Sequence, residues 1–364
     1  METLGMKLFG DIYRGRKVLL TGHTGFKGSW LVAWLTQLGA EVTGFALVPS
    51  TSPAHWSLID TSATDITGDI RDAQLVQDVI DRVQPDIVFH LAAQALVRRS
   101  YREPLDSWST NVMGTANILE ACRATASVRA VVVITTDKVY ENNEWPWGYR
   151  EVDRLGGHDP YSASKAASEL VVDSYRKSFW SRDDAPLLAS ARAGNVIGGG
   201  DWSEDRLVPD LVRAVAAGVS LEIRSPQSTR PWQHVLDCLS GYLLLGQRLL
   251  SGDRAAAVAW NFGPAPDDNR TVAEVLKDLQ THWEQLKWHS ANVVQPHEAN
   301  LLYLDCSKAH AQLSWRPVWT ITKSLAMTAQ WYKYHHSTGT VITDQQLQHY
   351  FEAARDAGCV WVEA

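Results

Sequence analysis

The chain has no long apolar run, no block of like charge, no internal repeat and no Cys-x-x-Cys pair. Its four cysteines, Cys122, Cys238, Cys306 and Cys359, are scattered, which argues against a disulfide framework or a zinc site and for reduced thiols in a reducing compartment. The first apolar run, Val18-Leu19-Leu20, is too short for a signal peptide or a membrane span, so no membrane is expected and the cytoplasm is. A net charge of -7 without any Lys/Arg cluster leaves nothing to track the phosphates of a nucleic acid. His335-His336 would point apart on a helix and lack a third partner of suitable spacing, so no metal is expected. His297-Glu298, near a loop, reads as structural rather than as a ligand.

What is present is ordinary globular material: 364 residues, 45% hydrophobic and 21% charged, enough for a large core or two lobes. Tryptophan is over-represented, and most of Trp145, Trp147, Trp283, Trp288, Trp315, Trp319 and Trp331 are expected in the core or between lobes. Short β-branched runs at 17–21, 41–47, 63–67, 87–91, 131–135 and 187–191 alternate with helical patterns, among them 29–38, 105–123 and 162–179. That alternation predicts an α/β fold: a doubly wound, parallel Rossmann-type sheet with a smaller C-terminal lobe. The expected division is 1–192 for the first and mainly 193–364 for the second, with segments around 226–263 returning to the sheet.

The first strand runs into Thr21-Gly22-His23-Thr24-Gly25-Phe26-Lys27-Gly28. Gly22 and Gly25 would let backbone N–H groups approach a pyrophosphate, and Gly28 would let the helix pack close to the strand, with Thr24, Phe26 and Lys27 completing the turn. The order Lys27-Gly28-Ser29 reverses what a triphosphate loop requires. About 20 residues on, where an acid would grip the adenosine ribose, stands Phe45-Ala46-Leu47-Val48. NAD and NADP are therefore not separated at this point, and Ser50, Thr51 and Ser52 are the nearby hydroxyls. Asp69-Ile70 is a candidate for the adenine edge, with a solvated turn aspartate as the alternative. Leu91-Ala92-Ala93-Gln94 would lie along the cofactor, or simply pack at a strand end.

Two further segments carry chemistry: Thr135-Thr136-Asp137-Lys138-Val139-Tyr140 and Tyr161-Ser162-Ala163-Ser164-Lys165. Tyr161 and Lys165 fall one helical turn apart on one face, so the ammonium is expected to lower the phenol's pKa and ready it as a base. Simple alcohol oxidation would leave Asp137 and Lys138 without a task.

Taken with Asn111-Val112-Met113-Gly114-Thr115, these motifs resemble the extended short-chain dehydrogenase/reductase family, and the match spans essentially the whole chain. Thr136-Asp137-Lys138, the run Arg192 to Trp202, Arg206 to Asp210, Arg230 to Val235 and Leu304 to Lys308 are similar to the CDP-glucose branch of its nucleotide-sugar 4,6-dehydratases. The resemblance implies a tightly held NAD that ends each cycle as it began, CDP-glucose as substrate and a product destined for deoxysugars of bacterial surface polysaccharide. It also implies Tyr161, Thr136 and Lys165 for oxidation at carbon 4, with Asp137 as acid and Lys138 as base for the elimination. Other branches usually carry Asp-Glu here. An amine is a base only when neutral, a state that repulsion from Lys165 and oxidised nicotinamide would favour. Asn195, Arg206 and Arg230 are the candidates for holding the diphosphate, since arginine offers phosphate two parallel donors, with a surface arginine as the alternative for Arg206. The resemblance implies a homodimer through the helices at 105–123 and 162–179, which could instead simply cover the sheet. An epimerase or reductase, an inverting UDP-N-acetylglucosamine 4,6-dehydratase and a non-catalytic dinucleotide sensor are the alternatives.

Overall fold

The structure, a computed structural model, describes residues 6–223, 225–265, 268–290 and 302–363; His297-Glu298 lies outside them. Seven parallel strands form the main sheet in the order Ala259–Phe262, Leu187–Ala193, Ala130–Ile134, Ile87–His90, Lys17–Thr21, Glu41–Ala46, Thr64–Thr67. Between Lys17–Thr21 and Ile87–His90 the order of chain succession reverses. This switch point opens a crevice beyond the strand ends, the standard ligand position in such sheets.

Both faces of the sheet are dry because successive side chains alternate between two cores. Leu19, Val88, Val131, Val133 and Leu188 face the helices Ala73–Val83, Gly114–Ala124 and Pro160–Ser178. Val18, Leu20, Phe89, Val132, Ile134 and Ala189 face the helices Phe26–Gln37 and Val235–Leu250. Each fully buried aliphatic side chain contributes on the order of 1.5–3 kcal/mol, so the continuous apolar strands dictate the two-sided cover. The seventh strand comes from far along the chain, and the helix before it docks through Gly241, where an added Cβ would stand 2.4 Å from the Phe262 ring.

The helices Ile321–Thr338 and Thr343–Asp356 are tied to Val235–Leu250 by Asp237, whose carboxylate accepts from Val318 N at 2.7 Å and Tyr350 Oη at 2.8 Å. Smaller sheets build the other wall of the crevice: Thr229–His234 pairs in parallel with Asn195–Ile197 and antiparallel with Asn269–Thr271. Of the seven tryptophans expected inside, Trp283, Trp315, Trp319 and Trp331 are buried and Trp145 and Trp288 are half-buried. Trp147, 57% exposed, is the one of the seven that lies at the surface, where it packs on Trp145.

The expected helix over 105–123 contains a π-helical segment, Ser109–Met113, between Pro104–Trp108 and Gly114–Ala124. The widened turn buries Asn111, whose side chain donates to Gln94 O and Ser164 Oγ and accepts from Gln94 N. One amide thus fixes the Gln94 loop to the Pro160–Ser178 helix, a use of π-turns that recurs at functional sites.

Candidate active site

A cleft of about 1760 Å³ lies at the switch point. Its wall takes in Gly22, Thr24, Gly25, Phe26, Lys27 and Gly28, then Asp69, Ile70 and Leu91 to Gln94. Thr136, Asp137, Lys138, Tyr161 and Lys165 line the same space, as do Asn195, Arg206 and Arg230. Residues drawn from eight separate stretches of sequence therefore meet in one cavity.

The glycine turn is shaped by close approach. Gly22 has φ +75°, and a Cβ there would sit 2.6 Å from Ala92 N; one on Gly28 would sit 2.1 Å from Gly22 O. The helix that follows begins at Gly25 without a side-chain cap, so its first N–H groups point to the cleft's end with no protein acceptor of that kind. This is a cradle for an anionic pyrophosphate, and the residues fit a dinucleotide. Ser50 and Thr51 line the cleft beside Leu47 and Val48, whereas Ser52 does not. Asp69 is held by Arg71, whose Nε donates to both carboxylate oxygens at 3.0 and 2.9 Å, and Arg71 also donates to Asp106 at 2.8 Å. The nearby guanidinium is thus already balanced by two carboxylates.

At the other end, the strand Ala130–Ile134 runs into Thr135 and Thr136, and a 3-10 turn over Asp137–Val139 follows. The Thr136 hydroxyl donates to Asp137 Oδ1 at 2.9 Å, and Lys138 Nζ stands 3.5 Å from the same oxygen. Asp137 is buried, and Lys138 reaches the open cleft with 31% of its side chain exposed. Gly194 lets the facing backbone close in, since a Cβ there would lie 3.3 Å from Asp137 Oδ2.

Tyr161, Lys165 and Glu169 repeat every four residues along the helix Pro160–Ser178, which starts on Asp159 as N-cap with Pro160 behind it. Lys165 Nζ donates to Ile134 O at 2.9 Å, which anchors the ammonium under the strand end. Burial drags its pKa down to about 8, against the pull of Glu169 and with the push of Lys27. Burial pushes the Tyr161 phenol up to about 12, opposed by the Thr136 hydroxyl and the Arg206 charge. The bond to Ile134 O uses one of the three donors of the Lys165 ammonium. Arg206 also donates to Asp201 at 3.4 Å, and Arg230 to Thr229 O at 2.9 Å.

Two residues gained no role from sequence and sit directly behind this site. Arg192 and Glu169 form a buried, two-pronged ion pair, Nε to Oε1 at 3.0 Å and Nη2 to Oε2 at 2.8 Å. Burial would raise the Glu169 carboxyl, yet Arg192, Thr135 and Ser190 together hold it down at about 2. The signal was available: an arginine inside the otherwise apolar strand Leu187–Ala193 demands a buried acid, and Glu169 continues the Tyr161-Lys165 stripe.

Comparison with known proteins places the chain among nucleotide-sugar enzymes. The family described as GDP-mannose 4,6 dehydratase matches residues 19–328. The CDP-glucose 4,6-dehydratase of Salmonella typhimurium is 46% identical over 89% of this chain and 92% of its own length. The dTDP-glucose 4,6-dehydratase of Streptomyces antibioticus is 31% identical over 87% of this chain and 92% of its own. Among solved structures, DesIV, a dTDP-glucose 4,6-dehydratase from Streptomyces venezuelae with NAD and TYD bound, superposes with a TM-score of 0.74 at 26% identity, covering 88% of this chain and 98% of that one. The epimerase Mth375 of Methanothermobacter thermautotrophicus shares the fold, with a TM-score of 0.80 at 23% identity over 90% of this chain and 96% of that one.

Replacing Gly22 by alanine strains the left-handed backbone and drives a methyl into Ala92. Titration calorimetry with a nicotinamide dinucleotide should show binding weakened by about tenfold or more, each tenfold being roughly 1.4 kcal/mol, while unchanged affinity would remove the turn from the binding site.

Proposed function

The chain belongs to the GDP-mannose 4,6 dehydratase family, within the extended short-chain dehydrogenases/reductases, and we propose that its cleft converts CDP-glucose and NAD-borne hydride chemistry into CDP-4-dehydro-6-deoxyglucose and water. The observation that carries this reading is the convergence of two proton-transfer sets, Tyr161 with Thr136 and Asp137 with Lys138, in one cleft with a dinucleotide cradle. Hydrogen on carbon 5 of a hexose is not acidic until carbon 4 is a ketone. Oxidation must therefore precede elimination, and both sets of groups are needed at one sugar.

Tyr161 takes the proton of the 4-hydroxyl, with Thr136 in the same hydrogen-bond chain. NAD held along the glycine turn supplies the hydride acceptor at carbon 4 and, afterwards, the hydride donor at carbon 6. Burial holds the phenol at about 12 with Thr136 and Arg206 already opposing it, and the positive nicotinamide ring of bound NAD would lower it further. Lys138, on the exposed side of the turn, accepts the carbon 5 proton and later returns it. Asp137 protonates the departing 6-hydroxyl, which leaves as water. Asn195, Arg206 and Arg230 hold the diphosphate from the opposite wall.

The four cysteines are unpaired, in keeping with a reducing cytoplasm, and among the described residues no helix is long and apolar enough to cross a membrane. Leu105, Trp108, Met113 and Leu170 expose apolar surface on the neighbouring helices of 104–124 and 160–178, and we assign that face to a homodimer.

Purified protein incubated with CDP-glucose and NAD should lose one water from the hexose and give a 4-keto product; Lys138→Ala should lower that turnover by about 10²–10⁴-fold. Undiminished loss of water in the variant would remove Lys138 from the elimination, and conversion of CDP-glucose without loss of water would instead fit an epimerase or reductase. Sedimentation at working concentration should give a dimer or larger species that Leu105→Glu dissociates, and monomer alone would reject the interface.

A further inference from the structure

The segment that carries the elimination groups is pinned at both ends by the two halves of a single ion pair. Ahead of it, Thr135 Oγ1 donates to Glu169 Oε1 at 2.5 Å. Behind it, Arg192 Nη1 donates to Tyr140 Oη at 2.6 Å, and the guanidinium lies 5.0 Å from the centre of the Tyr140 ring. Tyr140 Oη in turn donates a hydrogen bond to Asn261 Oδ1 at 2.8 Å. Thr136, Asp137, Lys138 and Val139 are the residues left between these anchors.

Glu169 also belongs to the helix that carries Tyr161 and Lys165, one and two turns further along the same stripe. Each oxygen of its carboxylate is used twice, by Arg192 and Thr135 on one and by Arg192 and Ser190 on the other. All the groups concerned are buried, so no water substitutes for a lost partner. The oxidation pair has independent supports: Lys165 on Ile134 O at 2.9 Å, and Ser168 Oγ on Asn111 O at 2.7 Å. The turn at 136–139 meets the same helix through the Thr136 hydroxyl, which hydrogen-bonds with Tyr161, while Val139 O accepts from Gly156 N at 2.8 Å, so the ion pair's anchors stand at its two ends.

We propose that Glu169 and Arg192 are positioning residues that set the Asp137-Lys138 turn in register with Tyr161 and Lys165, so that elimination follows oxidation on a sugar that stays in place. The proposal rests on the dehydratase reading above. It makes the two steps separable: loosening an anchor of the turn slows removal of water more than it slows hydride loss from carbon 4.

The test avoids Glu169→Gln, which strands a buried guanidinium, and uses Thr135→Val and Tyr140→Phe, which each delete one hydroxyl with little change of shape. Ser190→Ala removes a hydrogen bond to the same carboxylate without touching either end of the turn. For the two anchor variants kcat should fall by about tenfold to a hundredfold with KM nearly unchanged, as expected when reacting groups are misplaced by about 1 Å. During turnover of CDP-glucose they should also accumulate reduced nicotinamide absorbance near 340 nm above the wild-type level. Thr135→Ser should restore both readouts, and Ser190→Ala should lower only the thermal midpoint. Wild-type kcat and absorbance in both anchor variants, or an equal kcat loss in Ser190→Ala, would overturn the proposal by reducing the pair to general stability. Absence of a 4-keto product with the wild-type protein would overturn the dehydratase reading itself, and the proposal with it.

Discussion

The ion pair between Arg192 and Glu169 is the contact on which the arrangement of the cleft depends. Removing one member of such a buried pair costs roughly 3–5 kcal/mol, because the survivor keeps its charge with no water to share it. The pair is therefore maintained with all its hydrogen bonds or not at all, and what it touches inherits that definition. Through it the strand Leu187–Ala193, the helix Pro160–Ser178 and the end of the strand Ala130–Ile134 are joined, and Asn261 carries the connection on to Tyr149 O and Asp305 O. These are the elements that meet at the floor of the cleft.

Given that floor, the topology allots the work. The switch point opens the crevice, the glycine turn at one edge offers backbone N–H groups to a diphosphate, and the helix and 3-10 turn bring proton carriers to the middle. Burial is used differently at each carrier. It keeps Tyr161 a neutral phenol, ready to be shifted by neighbouring positive charge, and brings Lys165 to about 8, while Lys138 remains at the cleft's open side. A second sugar-binding step is then unnecessary between oxidation and loss of water.

Much of this was legible in the sequence, and the parts that were not have a common cause. Local signals carried the parallel sheet, since apolar strands and amphipathic helices are written in neighbouring residues. The glycine turn and the Tyr161-Lys165 stripe depend on spacings of a few residues and were equally visible. Contacts that close only through the tertiary structure were missed: the partner of Arg192, the π-turn that buries Asn111 between Gln94 and Ser164, and the commitment of Lys165 to Ile134 O. The depth of burial that raises the Tyr161 phenol belongs with them, because spacing on a helix shows which residues share a face and not what the rest of the chain packs over them.

The central claim is that one hydride leaves carbon 4 and returns to carbon 6 of the same sugar without leaving the cleft. A crossover experiment addresses it directly: CDP-glucose carrying deuterium at carbon 4 and uniform carbon-13 is mixed with unlabelled CDP-glucose, and the product is resolved by mass and by position. Deuterium found at carbon 6 only in the carbon-13 molecules is the result this account requires. Deuterium lost to solvent, or shared with the unlabelled molecules, would contradict it.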